Sequence, residues 1–370
     1  MTSNISPAEQ EPLLSDSPSA INTKTPDNNN SSNVSDNTSP AAAAAPVPVS
    51  QRYLGSFLIL LAEFFVCVMH LITRYLQISL PEERRLHALH LTLIRAFPTV
   101  LFCLLYGWAY QRIEYMPFGP RHVRDLLWLR AFGGLVGIIC FFAALKDLPL
   151  PDATVISFLT PTFVSIACSR ISALKEPFTT VEKLSTLMSF TGVILIAQPT
   201  FIFGTPPSVG GPARLFAVIL QLTGVCGAAT SYTAIRWIGP RANTLISMLY
   251  FSALVSVFSA VAIVLVPGIP AMQMPRGALE WGLVAGLAFT GFVVQWALTK
   301  GLQLEKAGRG LQMMYVQLVF AALFEWAVWG DVMKGWRAVG AVVVLASVAG
   351  VQWWKGREKR GDEEVAEEGR

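Results

Sequence analysis

Charge is scarce in this chain. Asp, Glu, Lys and Arg make up 14% of the 370 residues, against 53% apolar ones. A soluble protein of that make-up would carry more apolar surface than its interior could hide, so lipid must cover the excess. The formal net charge of +4 is small and spread over loops, which gives no surface for nucleic acid. Histidine is rarer still. His70, His87, His90 and His122 are scattered, so no zinc site can be built from them. The five cysteines, Cys67, Cys103, Cys140, Cys168 and Cys226, stand singly inside apolar runs without a C-x-x-C spacing. Each reads as a small packing or lipid-facing residue, with no disulfide, no metal and no cofactor implied.

Residues 1–52 contain no Phe, Trp or Tyr and are crowded with Ser, Asn, Pro and Asp. Such a segment cannot bury enough surface to offset its ordering entropy, and is expected to be disordered. Its one apolar tract, Ala41–Ala45, is too short for a signal peptide and lacks a basic flank. The first true span therefore serves as the targeting signal.

What the chain has in abundance is apolar runs of roughly the 20 residues that cross a bilayer as a helix. They fall near Leu54–Leu76, Leu91–Tyr110, Val123–Leu145, Ala153–Ser172 and Lys183–Gln198. A second set follows near Leu215–Trp237, Thr244–Val266, Leu279–Lys300, Leu311–Trp329 and Gly335–Trp354. The expected fold is all-α and polytopic. The Gly/Pro-rich stretch 199–213 links two five-helix repeats, 53–198 and 214–354, and 355–370 forms a charged tail.

Ten spans place both termini on one side. With the termini cytoplasmic, the inner segments carry sixteen basic residues and the outer ones eight, so the positive-inside rule predicts cytoplasmic termini. The two halves also echo each other. Lys146-x-Leu148-x-Leu150-x-x-Ala153 recurs as Lys300-x-Leu302-x-Leu304-x-x-Ala307 between the third and fourth spans of each half. An odd number of spans per half sets these equivalent loops on opposite sides of the membrane, as in an inverted repeat. Gly133-x-x-x-Gly137 and Gly282-x-x-x-Gly286 are expected to let neighbouring helices approach closely.

The motifs Arg130-Ala131-Phe132-Gly133-Gly134, Leu148-Pro149-Leu150-Pro151-Asp152-Ala153-Thr154, Phe158-Leu159-Thr160-Pro161 and Lys175-Glu176-Pro177-Phe178-Thr179 resemble the first repeat of the EamA-type drug/metabolite transporters. The likeness continues through Pro117–Arg121, Ile235–Gly239 and Lys300–Arg309, covering Leu54 to Trp354. It is most similar to the filamentous-fungal branch related to the G subgroup of the nucleotide-sugar transporter-like solute carriers. The resemblance implies ten helices in two inverted repeats around an export or exchange site, and leaves the substrate open. Two departures stand out: Tyr315-Val316-Gln317 lies where the second repeat would repeat Pro161, and Asp331 replaces the usual glutamate. A less mobile second half is the expectation.

Several polar residues fall inside the apolar runs. Glu63 lies near the centre of the first span, where a carboxylate costs about 2.5–3.5 kcal/mol on insertion scales. Such a group can bind substrate, exchange a coupling proton, or fix helix packing. Arg95 and Arg130 sit about one turn inside the ends of their spans, and either snorkel to headgroups, serve helix packing, or bind an anionic substrate group. Lys300 reads as a positive-inside anchor. Tyr232, Gln295, Tyr315 and Gln317 could line a selective polar pocket or bond helix to helix. Pro161 removes a backbone donor and bends the fourth span, making it a hinge candidate. In the tail, Glu9-x-x-x-Leu13-Leu14 has the acidic dileucine arrangement that clathrin adaptors read, which points to endomembrane or vacuolar localisation.

The leading expectation is a secondary transporter of a small polar or anionic metabolite, with a coupling proton or counter-substrate as partner. An intramembrane enzyme acting on lipid and a non-transporting scaffold or sensor are the alternatives. The scattered histidines give the enzyme no clustered nucleophile, base or metal.

Overall fold

The structure is a computed structural model. It describes residues 54–79, 85–174, 176, 178–204, 212–267, 269, 274–330 and 335–368. The N-terminal tail with Glu9, Leu13 and Leu14, and Asp331, lie outside the described residues.

Ten helices among these residues are long and apolar enough to cross a membrane: α1 (Leu54–Gln77), α2 (Ala88–Tyr110), α3 (Arg121–Ala144), α4 (Leu150–Arg170), α5 (Thr180–Ala197), α6 (Ala213–Arg241), α7 (Thr244–Leu265), α8 (Ala278–Leu304), α9 (Leu311–Val328) and α10 (Trp336–Trp354). Each expected span has its helix. The boundaries are set by caps that hydropathy does not register. Thr179 and Glu182 form a reciprocal capping box at the start of α5, and Asn243 accepts from the Leu245 amide at the start of α7. The helix carrying α10 runs on from Trp336 to Glu368, since the Glu, Lys, Arg and Ala of the charged C-terminal segment are good helix formers.

The packing is symmetric under exchange of the two halves. α1 packs on α8, and its counterpart pair α6 on α3; α2 packs on α8 as α7 does on α3; α4 contacts α6 as α9 contacts α1. The remaining large contacts, α5 with α10 and α2 with α7, join each helix to its own counterpart. Every one of these contacts links the first repeat to the second.

Three of the interfaces close on glycine. A Cβ on Gly227 would lie 2.8 Å from the Gly133 carbonyl oxygen, and one on Gly133 would lie 2.7 Å from that of Gly227. The same exchange occurs between Gly192 and Gly340, at 2.8 and 2.7 Å, and Gly301 meets the Gly55 carbonyl at 3.0 Å. The expectation for the second small-residue pair is corrected here. Gly282 has nothing within 4 Å and Gly286 only touches Ile72, so the close approaches of α8 fall instead at Gly291, against Arg95, and at Gly301, nearer the α8 C-terminus.

The fourth span is broken, as Pro161 implies. Helix Leu150–Ser157 ends, and Thr160–Arg170 begins with the proline in its first turn. Gln221 of α6 reaches into the break, donating to the Ala153 carbonyl at 3.3 Å and to Ser157 at 2.8 Å. The counterpart α9 is irregular without a proline: its first turns, Leu311–Val316, wind as a 3-10 helix before α-helix resumes at Gln317. The two irregularities meet. The Tyr315 ring stacks on Phe158 at 5.9 Å, and its hydroxyl lies 3.4 Å from Thr162 Oγ1. The missing proline therefore does not make the second half regular.

Adding side chains at the glycine contacts tests the packing. Gly227→Leu must push α3 and α6 apart and is expected to cost about 1–3 kcal/mol, the usual penalty of overpacking. Gly282→Leu, at an open position, should leave thermal unfolding of the purified protein unchanged.

Candidate functional site

Five of the seven predicted polar residues come together where the repeats meet. Arg130, on α3, is 3% exposed. Its guanidinium donates to Gln295 Oε1 on α8 at 3.0 Å and to Ser231 Oγ on α6 at 3.3 Å, and lies 4.1 Å from the Phe251 ring centroid on α7. Ser231 in turn donates to the Arg130 carbonyl at 2.9 Å, tying α6 to α3 beside their glycine contact. The Arg130 Nε is buried without a hydrogen-bond partner.

Tyr232, the next residue on α6, lies within electrostatic reach of Glu63, Arg130 and Arg95. Arg95, on α2, places an amino group 3.6 Å from Met69 Sδ of α1, while its Cβ packs over Gly291 of α8. Glu63, on α1, is 2% exposed and makes no hydrogen bond or ion pair among the described residues. One carboxyl and two guanidiniums thus occupy the interior of the bundle, each without an ion-pair partner among the described residues.

Of the readings of Arg130, this placement excludes snorkelling and is compatible with both helix packing and substrate contact. A snorkelling side chain reaches outward to headgroups, whereas Arg130 points inward between α6, α7 and α8. The sequence conceals this because hydropathy registers depth along a helix and not which side the residue faces. Tyr315 and Gln317 lie at the junction of α4 and α9. Tyr315 is fully buried in a cluster with Ile59 and Ala62, against which Tyr232 packs. Gln317 contributes its carbonyl, which accepts from Cys67 Sγ at 3.3 Å.

Sequence reasoning missed Ser231 and Phe251, which are ordinary residues of apolar runs and gain significance only from Arg130. It also missed the charge pairs that join the repeats at each face. Toward the face where α1 begins, Arg236 Nε donates to Glu176 at 2.7 Å, and its Nη1 donates to the Gln303 carbonyl at 3.0 Å. Toward the opposite face, buried Asp152 accepts from Arg214 at 3.0 Å and from the Thr200 amide and hydroxyl, each at 2.7 Å. Glu176, Arg236 and Asp152 all stand in the motifs quoted for the family resemblance, but nothing in their spacing names their partners.

No group of three His, Cys, Asp or Glu side chains among the described residues could hold a metal ion. The arrangement sets polar side chains of both repeats against one another between opposed helices.

Known proteins share this design. A solved structure has the same fold, with a TM-score of 0.66 and 18% identity over 84% of this chain and 99% of that one. The probable transport protein YPL264C of Saccharomyces cerevisiae is 32% identical, with 81% of this chain and 89% of that protein aligned. Human solute carrier family 35 member G1 is 28% identical over 82% of this chain and 80% of its own. The EamA-like transporter family matches residues 53–198 and 215–353, one match to each five-helix half. Ten apolar helices, two interleaved repeats and this match together show an integral multi-pass membrane transport protein, and the chain belongs to the EamA-like transporter family.

Proposed function

We propose that the protein is a secondary transporter that moves a small polar or anionic metabolite by alternating access, with Arg130 as the principal substrate contact. The observation that carries this reading is the buried guanidinium whose partners are the neutral Ser231, Gln295 and Phe251. A charge held away from water without a counter-charge is costly, and an anionic group of the substrate supplies what is missing. Arg95 adds a second cation within electrostatic reach of Tyr232. Glu63 then serves as the group that exchanges a coupling proton or meets a cationic part of the substrate.

The closures at the two faces fit the same cycle. Glu176 and Arg236 belong to different repeats, as do Asp152 and Arg214. Rocking one repeat against the other parts one pair while the other holds. Pro161 and the 3-10 turns of α9 provide the flexible joint at the centre. In this reading both termini are cytoplasmic and the dileucine signal of the tail directs the protein to an endomembrane or vacuole.

Reconstitution into proteoliposomes and uptake measurements across a metabolite panel test the proposal. An organic anion is expected to accumulate. Arg130→Gln should abolish its uptake, and Arg130→Lys, which keeps the charge but loses the planar fork, should weaken apparent affinity by about tenfold or more, in line with ~1.5–3 kcal/mol for a hydrogen bond to a charged group. Uptake indifferent to both substitutions would refute the site. Glu63→Gln keeps size and hydrogen bonding but cannot titrate, and is expected to flatten the pH dependence of transport. A pH profile identical to that of the parent chain would remove Glu63 from coupling.

Sealed microsomes test the orientation. The N-terminal tail should be digested by added protease, with the glycosylation sequons Asn4-Ile5-Ser6 and Asn33-Val34-Ser35 left unmodified. Protected, glycosylated tails would reverse the topology.

A further inference from the structure

A second recess lies away from the central constellation. It encloses about 810 Å3 between the C-terminal halves of α2 and α8, the α2–α3 loop and the start of α7. That volume falls within the roughly 300–1,000 Å3 of small-ligand sites. Glu63, Arg95 and Arg130 do not line it. Its height is that of the face where α1 begins, because the α2–α3 and α6–α7 loops border it.

The walls change character with depth. Phe102, Tyr106, Phe292 and Trp296 form the part nearer the bilayer centre. Phe102 packs on Phe292 at 4.4 Å and stacks on Tyr106 at 5.2 Å. Phe102, Tyr106, Trp296 and Leu304 keep exposed apolar surface on this wall, which an acyl chain can cover. Toward the loops the lining becomes polar, with Gln111, Asn243, Arg241 and Lys300.

The recess is lined by two cations, Lys300 and Arg241, and one carboxylate. Lys300 lies one turn before the end of α8 and has no ion-pair partner among the described residues. Arg241 donates to the Trp237 and Ile238 carbonyls, neutral acceptors that leave its charge uncompensated. The one carboxylate in the lining, Glu114, accepts from the Tyr115 hydroxyl and raises that phenol above its ordinary pKa.

The backbone here is specialised as well. The end of α2, Cys103–Tyr110, winds as a π-helix, and Arg112 and Tyr115 follow at φ 51° and 62°. π-helical turns recur at functional sites. Left-handed residues other than glycine cost on the order of 1–3 kcal/mol and persist where the surroundings hold them.

We propose that this recess binds one anionic phospholipid of the adjacent leaflet, with its phosphate on Lys300 and its upper acyl carbons against the aromatic wall. An aromatic floor at hydrocarbon depth beneath a lysine at headgroup height matches the layered chemistry of such a lipid. The assignment does not depend on the transport reading.

Native mass spectrometry of the purified full chain, titrated with phosphatidylserine and with phosphatidylcholine of identical acyl chains, tests it. Phosphatidylserine should be retained preferentially. Lys300→Gln should lower its retention about fivefold, the weight of one lysine at an anionic surface, and Lys300→Arg should restore it. Gln111→Trp leaves the cations in place but fills the recess from an exposed loop, and should reduce retention even if Lys300→Gln fails to fold. Excess inorganic phosphate should not displace the lipid. Equal retention of both lipids, no change in either folded variant, or full displacement by inorganic phosphate overturns the proposal.

Discussion

A bilayer offers no hydrophobic reason for one apolar helix to prefer another, because lipid tails are as apolar as leucine. Helices in this protein must associate through close backbone approach and buried polar contacts. The glycine contacts at Gly133/Gly227, Gly55/Gly301 and Gly192/Gly340 supply the first. Ser231 bonded to the Arg130 carbonyl and Ser189 at 2.5 Å from Ser347 supply the second. All of these contacts cross from one repeat to the other. The interior where Glu63, Arg95 and Arg130 lie is therefore a seam between halves, a location that exists only because the helices interleave.

The distribution of charge pairing along the membrane normal carries the mechanistic argument. At each end one charge pair joins the repeats: Glu176 with Arg236 and Asp152 with Arg214. At the centre Glu63, Arg95 and Arg130 have no ion pair among the described residues. Removing one partner of a buried pair costs about 3–5 kcal/mol because it leaves the other charge uncompensated, so each end pair ties its two members to one another. The central residues carry their desolvation cost without such relief. On the proposed reading, that difference separates the parts of the protein that hold it together from the part that waits for a ligand.

The sequence reveals much of this architecture, because hydropathy has a length scale that matches the bilayer. All ten spans, the bend at Pro161 and the polar residues inside the runs could be read from it. Pairwise relations could not. Arg130 and Gln295 stand 165 residues apart and Glu176 and Arg236 60 apart, and no local pattern links them. Gly282-x-x-x-Gly286 has the spacing of a contact motif but makes no close backbone approach, since spacing fixes a helix face without saying what lies opposite. The irregular start of α9 was hidden for another reason. Its 3-10 turns, Leu311–Val316, contain no proline or glycine, and Tyr315 within them packs against Phe158 and Thr162.

The interleaving also sets an order of assembly. The main partner of α1 is α8, whose first residue, Ala278, is made more than two hundred positions later. At ~5–20 residues per second, α1 waits on the order of ten to forty seconds for it. During that interval Glu63 and Arg130 are in the nascent chain while the helices that bury them are still being synthesised. The first repeat thus enters the membrane as an incomplete object, and its intramembrane charges make it a natural client for whatever machinery shields unfinished helices until the second repeat arrives.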